Sequence, residues 1–145
     1  MFNRISHVGV VVNDLESAIE LWTGVFGLEL RHRLEIEVEG VRSALLHPRG
    51  QEGATFIELI EPMDKGNLSN AIARRLSRHG EGVYQLAITV DDTADAAETL
   101  TAAGITHVVQ PPTGPGQATR PVIHPKSANG VLIELVQQAA TGQHA

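Results

Sequence analysis

The two halves of this chain repeat each other, and each half carries polar residues inside its apolar strands. The segment HVGVVVND, beginning at His7, matches QLAITVDD, which begins 78 positions later at Gln85. The segment IELIE around Glu58 matches IELVQ around Glu134, 76 positions later. A polar or charged side chain within an apolar strand is costly unless it is paired. If the halves are related by a pseudo-twofold axis, these four residues can converge on one point, as the ligands of a metal site do.

Length and composition favour one globular domain over residues 1–145. The 145 residues are 42% hydrophobic and 19% charged, which excludes a disordered chain. No apolar run approaches the roughly 18 residues that span a bilayer, and the chain begins without a signal-peptide pattern. The formal net charge of -6 argues against nucleic acid as a partner. We therefore expect a soluble, cytoplasmic protein with neither a membrane nor a nucleic acid as its partner.

The hydrophobic periodicity predicts the same order of elements in the repeats 4–62 and 83–137. In each repeat a strand is followed by a helix and three further strands. A short helix near 67–78 joins the repeats. The predicted strands span 4–12, 29–37, 41–47 and 54–61 in the first repeat, and 83–90, 106–110, 119–123 and 131–137 in the second. We expect an α+β fold in which two βαβββ modules form one cupped mixed sheet around a cleft.

The symmetric placement of the four polar residues favours a shared cation. Glu58 and Glu134 each lie between apolar neighbours, and each is matched with a polar residue of a first strand. Their nitrogen and oxygen donors suit a divalent ion such as Co²⁺, Ni²⁺, Mn²⁺, Zn²⁺ or Mg²⁺. The alternative is that one glutamate faces solvent and His7 is a hydrogen-bonded core residue.

Several segments carry a resemblance to a known family. ISHVGV from Ile5, NDLE from Asn13 and FGL from Phe26 resemble the opening of the vicinal oxygen chelate superfamily. Further segments are similar, in the same order, to blocks of the methylmalonyl-CoA epimerases within that superfamily: EGVR from Glu39, IELIEP from Ile57, GEGV from Gly80, HPK from His124 and GVLIEL from Gly130. The resemblance extends from about residue 4 to 137. It implies a metal-dependent isomerase that moves a proton at a carbon next to a thioester carbonyl, with an acyl-CoA as small-molecule substrate and a homodimeric assembly.

The resemblance also implies roles for individual residues. The metal ligands would be His7, Glu58, Gln85 and Glu134, and Glu134 would also move the proton. Lys126 and Arg42 would contact the substrate, although a solvated turn lysine is an equally good interpretation of Lys126.

Two positions depart from the family pattern. Gln85 stands where the epimerases usually have a histidine ligand. Its amide oxygen can still coordinate a metal, with weaker binding of borderline metals than a histidine gives. Alternatively, Gln85 forms hydrogen bonds only and the site holds no metal. Ser43 stands where many of them have a glutamate, one of two bases flanking the substrate carbon. Ser43 is thus a candidate catalytic residue or an ordinary strand residue, and Glu37 or Glu39 could replace it. These departures leave open a second function, a metal-independent enzyme of specialised metabolism or a small-molecule binding protein.

Overall fold

The chain has the predicted α+β fold with two βαβββ modules. The computed structural model describes residues 1–112 and 114–138, which divide into two compact units. The first unit is Val8–Tyr84, and the second combines Met1–His7 with the chain from Gln85 onward. The short N-terminal segment therefore belongs with the second half of the sequence.

The first unit is a mixed sheet covered on one face by a short helix. Its elements are β1 (Ile5–Val11, of which residues 5–7 belong to the second unit), α1 (Leu15–Glu20), β2 (Glu29–Ile36), β3 (Val41–His47), β4 (Phe56–Pro62) and α2 (Ala71–His79). The strand order is β2-β3-β4-β1, with antiparallel β2–β3 and β3–β4 pairs. Leu15 and Ile19 of α1 pack with Val10, Leu46 and Leu59 of the sheet, because the apolar residues of each strand alternate onto that face.

Asp14 caps α1, although Asn13, followed three residues later by Glu16, also has the sequence pattern of a helix cap. The Asp14 carboxylate accepts a hydrogen bond from the backbone N–H of Ser17 at 3.1 Å. The N–H of Asn13 instead donates to Glu81 Oε2 at 2.8 Å. The cap is therefore one residue later than the Asn13 pattern predicts, because the Asp14 side chain reaches a backbone N–H group of the first turn.

The helix predicted over 67–78 is shorter and begins at Ala71. Asn70 caps it, since its side-chain oxygen accepts hydrogen bonds from the N–H groups of Ile72 and Ala73, both at 3.0 Å. The Asn70 amide nitrogen also donates to the carbonyl of Glu39 at 2.8 Å. Residues 67–70 are therefore the approach to the helix rather than its first turn.

The second unit repeats the arrangement of the first. Its elements are β5 (Gly82–Val90, from Gln85 onward in this unit), α3 (Thr93–Ala102), β6 (His107–Gln110), β7 (Arg120–Ile123) and β8 (Ile133–Gln137). The order is β5-β8-β7-β6; β5 and β8 are parallel and the other pairs are antiparallel. Ile88 and Leu135 of the sheet pack with Ala96 and Leu100 of α3. This packing leaves the opposite face of the sheet for other contacts.

Among the described residues, no helix has the length and apolar character needed to cross a membrane.

His47, at the end of β3, is a buried histidine whose environment opposes protonation. It is 4% exposed, neither ring nitrogen has a hydrogen-bond partner among the described residues, and the ring stacks on Phe56 with centroids 4.4 Å apart. Burial lowers the pKa of His47 below its ordinary value, and the charges of Arg31 and His32 lower it further, against a smaller opposite effect of Glu52 and Glu29. The folded protein therefore disfavours the protonated form of this ring.

We expect His47 to make the protein less stable in mild acid. As the pH falls below about 6.5, the unfolded chain takes up a proton that the folded chain resists, so the free energy of unfolding decreases. Urea unfolding at a series of pH values between about 7 and 5 should show a shallower decrease for His47→Leu than for the unchanged protein. The exposed His79 provides the control, since His79→Leu should keep the original slope. Equal slopes for His47→Leu and the unchanged protein would refute this assignment.

Candidate active site

A buried carboxylate with two hydrogen-bond donors forms the centre of the candidate site. Glu134 in β8 accepts a hydrogen bond from Arg120 Nη1 on Oε1 at 2.7 Å. Its other oxygen, Oε2, accepts from Gln85 Nε2 at 3.0 Å. The side chains of Arg120 and Glu134 are only 12% and 9% exposed. This is a charge-assisted ion pair shielded from solvent, in which both carboxylate oxygens are held in place.

Strand register explains why these three side chains meet. The parallel pairing of β5 with β8 places Ala87 beside Glu134, and Gln85 lies two residues before Ala87. The antiparallel pairing of β7 with β8 places Val122 opposite Glu134, and Arg120 lies two residues before Val122. Because side chains alternate along a strand, Gln85, Arg120 and Glu134 share the face of the sheet that α3 does not cover.

His7 belongs to the same unit as this carboxylate. It lies in β1, which is the neighbour of β5 in the sheet, and backbone hydrogen bonds from Asn3 to Thr89 (2.8 Å) and from Thr89 to Arg4 (2.9 Å) join the two strands. His7 is half-buried, with Nδ1 3.1 Å from the hydroxyl of Ser6. Three of the four predicted ligands, His7, Gln85 and Glu134, therefore lie in the second unit, and Gln85 and Glu134 are in direct contact.

Glu58, the fourth predicted metal ligand, and Ser43, the second predicted catalytic residue, lie in the first unit, as do Glu37 and Glu39. Glu58 is half-buried and pairs with Leu45, while Ser43 pairs with Ile60, so both point away from the α1 face of their sheet. Ser43 is 0% exposed, and its hydroxyl has no hydrogen-bond partner among the described residues. This burial favours the interpretation of Ser43 as an ordinary strand residue.

The two predicted substrate-binding residues differ in their surroundings. Arg42 lies one position from Ser43 in β3 and so projects from the opposite face of that sheet, where it is 3.9 Å from Glu35 and 4.0 Å from Glu61. Lys126 is exposed in a short 3₁₀ turn, Pro125–Ser127. The Arg42 side chain is 43% exposed, so both residues can reach an anionic ligand from solvent, although Arg42 already has carboxylate neighbours.

Sequence reasoning missed Arg120, which makes the closest polar contact with Glu134. Its position within the predicted strand 119–123 gave a usable signal, because a cation in a short strand of the second repeat needs a partner. The register that identifies this partner comes from the pairing of β7 with β8, which the sequence pattern does not specify.

The donor set fits a divalent metal in chemical type, but its carboxylate already has a positive partner. An imidazole, an amide oxygen and a carboxylate suit borderline or hard divalent ions. Across residues 1–112 and 114–138, no group of three or more His, Cys, Asp or Glu side chains is arranged to hold a metal ion. Gln85 presents its amide nitrogen to Glu134, and Arg120 neutralises the carboxylate charge. These donors therefore form a metal site only after a rearrangement around Glu134.

Comparison with known proteins identifies the relatives of this chain. Residues 6–124 match the Glyoxalase/Bleomycin resistance protein/Dioxygenase superfamily. The mitochondrial methylmalonyl-CoA epimerase of Dictyostelium discoideum is 30% identical over 93% of this chain and 78% of the relative. The crystal structure of methylmalonyl-CoA epimerase from Mycobacterium tuberculosis is similar with a TM-score of 0.82 and 36% identity, over 96% of this chain and 90% of that one. A variant of the Streptomyces coelicolor methylmalonyl-CoA epimerase, in complex with 2-nitronate-propionyl-CoA, is similar with a TM-score of 0.84 and 30% identity, over 97% of this chain and 100% of that one.

Proposed function

Since the chain belongs to the glyoxalase/bleomycin resistance protein/dioxygenase superfamily, as its resemblance to vicinal oxygen chelate proteins predicted, we propose that it is an isomerase that epimerises a 2-substituted malonyl-CoA thioester. The observation that carries the proposal is the buried Glu134 carboxylate. Both of its oxygens are fixed by hydrogen bonds, and it lies on the face of the second unit's sheet that α3 does not cover. The similarity to epimerases over more than nine-tenths of the chain supports the substrate class.

The proposed chemistry is proton transfer by Glu134. A C2–H bond between a thioester and a carboxylate is acidic enough for a carboxylate base when the developing enolate is stabilised. Glu134 would take this proton, while Arg120 and Gln85 hold its two oxygens in a fixed orientation. Exchange of the proton with solvent needs only this group, whereas inversion also needs a proton donor on the opposite face of the enolate.

A divalent metal belongs to this proposal. His7, Gln85 and Glu134 would hold Co²⁺, Ni²⁺, Mn²⁺, Zn²⁺ or Mg²⁺, and the ion would supply Lewis-acid stabilisation of the enolate oxygen. A second candidate function, a metal-independent enzyme or a binding protein of the same fold, is favoured by the positive charge of Arg120 beside Glu134. The homodimer that the resemblance implies stays a prediction.

The test is incubation of a single 2-epimer of methylmalonyl-CoA with the protein in D₂O. We expect equilibration of the configuration at C2 together with the gain of one deuterium there, followed by circular dichroism and mass spectrometry. Succinyl-CoA is the control substrate, because its C2 hydrogens are activated by one carbonyl only, and it should gain no deuterium. Parallel reactions with each divalent ion and with EDTA separate the two candidates: turnover that persists in EDTA favours the metal-independent enzyme. If neither inversion nor exchange occurs in any reaction, the binding-protein alternative replaces the epimerase.

A further inference from the structure

The guanidinium of Arg120 is the positive partner of the Glu134 carboxylate. Arg120 Nη1 lies 2.7 Å from Glu134 Oε1, and Nη2 donates to the carbonyl of Pro111 at 3.0 Å. The same group is thus held by a side chain of β8 and by the backbone just beyond β6. The guanidinium is permanently charged, and its side chain is only 12% exposed, so solvent screens the pair weakly.

A divalent ion bound to Glu134 would lie close to this guanidinium. Metal–carboxylate distances are about 2.0–2.2 Å and Oε1 is 2.7 Å from Nη1, so an ion on Oε1 would lie within about 5 Å of Arg120 Nη1. Repulsion between like charges at that separation is substantial in a buried environment. The second oxygen, Oε2, accepts from the Gln85 amide nitrogen, and each carboxylate oxygen keeps a further lone pair that an ion could approach.

We propose that Arg120 is the resident counter-cation of Glu134, and that its positive charge opposes the binding of a divalent metal to this carboxylate. Arg120 then lowers the metal affinity of the site. The inference rests on the proposed metal site, but not on the identity of the reaction.

The test is direct metal binding by the purified, metal-free protein. Equilibrium dialysis with Co²⁺, Mn²⁺ or Zn²⁺, read by elemental analysis, gives the dissociation constant without reference to activity. Substituting a group that contacts a metal ligand usually weakens metal binding by about 10–100-fold, so the opposite change would distinguish a competing charge from a supporting one. For Arg120→Met we expect tightening by a factor in that range, because the competing charge is removed while His7, Gln85 and Glu134 are kept.

Two further variants make the outcome decisive. Arg31→Met removes an equal charge from an ion pair with the exposed Glu52 and should leave the metal affinity unchanged. Arg120→Lys keeps the positive charge but not the planar guanidinium with its two donor arms, and should give an intermediate metal affinity. It also replaces Arg120→Met as the test variant if Arg120→Met fails to fold. Weaker or unchanged metal binding by Arg120→Met would overturn the proposal. Arg120 would then either support Glu134 as a metal ligand or have no effect on metal binding. The epimerisation assay reports separately on the proposed function, so either hypothesis can fail alone.

Discussion

Glu134→Gln is expected to lower kcat for epimerisation by about 10²–10⁴-fold, the usual contribution of a positioned acid–base group. Glutamine keeps the shape of the side chain and an oxygen that can accept the hydrogen bond from Arg120, but it cannot take up the C2 proton. The loss should therefore appear in kcat rather than in substrate binding. Because the variant also removes the negative partner of the buried Arg120, its fold should be checked by circular dichroism at the assay temperature. Steady-state kinetics with a single epimer of methylmalonyl-CoA would measure it.

The matched control is Glu98→Gln on the exposed surface of α3, which makes the same change in charge and shape. It should retain full turnover. If Glu134→Gln also retained full turnover, Glu134 would not be the proton-transfer group, and the mechanism proposed above would be wrong.

The second large effect concerns stability. Arg120→Met should lower the free energy of unfolding by about 3 kcal/mol, because it leaves the Glu134 carboxylate buried without its positive partner. The double variant Arg120→Met/Glu134→Met should recover most of this loss, since a buried ion pair replaced by apolar side chains of similar volume is often neutral or stabilising. Urea unfolding in the presence of EDTA would measure both without a contribution from metal binding.

The pairing of Arg31 with Glu52 and Glu29 again supplies the comparison. The Arg31 side chain is 20% exposed, but the two carboxylate side chains are 63% and 43% exposed and are screened by solvent, so Arg31→Met should cost no more than about 1 kcal/mol. If Arg120→Met destabilised the protein no more than Arg31→Met does, solvent would be screening the Arg120–Glu134 pair, and the account of a shielded ion pair would fail.

The order of elements was predictable because each segment shows a clear period and the repeat occurs twice. Predicted strands over 41–47 and 83–90 correspond to Val41–His47 and Gly82–Val90. Helix starts were less predictable, since they depend on which of two adjacent polar residues reaches the first turn. Asp14 rather than Asn13 caps α1 for this reason, and α2 begins at Ala71 because Asn70 reaches both the helix and the Glu39 carbonyl.

The candidate site was predictable only in part. Repeated polar residues within apolar strands identified Gln85 and Glu134, and the structure brings these two into contact. Arg120 was missed because its role depends on the register between β7 and β8, which is a tertiary property. The full burial of Ser43 could not be predicted either, because the alternation of side chains assigns a strand residue to a face of the sheet but does not say what covers that face.

The central claim is that this protein moves a proton at the carbon between a thioester and a carboxylate. Its most direct test is the early time course of deuterium incorporation at C2 of one epimer of methylmalonyl-CoA in D₂O, before appreciable inversion has occurred. The account predicts a single deuterium gained at a rate at least equal to that of inversion, and loss of this exchange in Glu134→Gln. Inversion without deuterium gain, or no exchange at all with the unchanged protein, would contradict it.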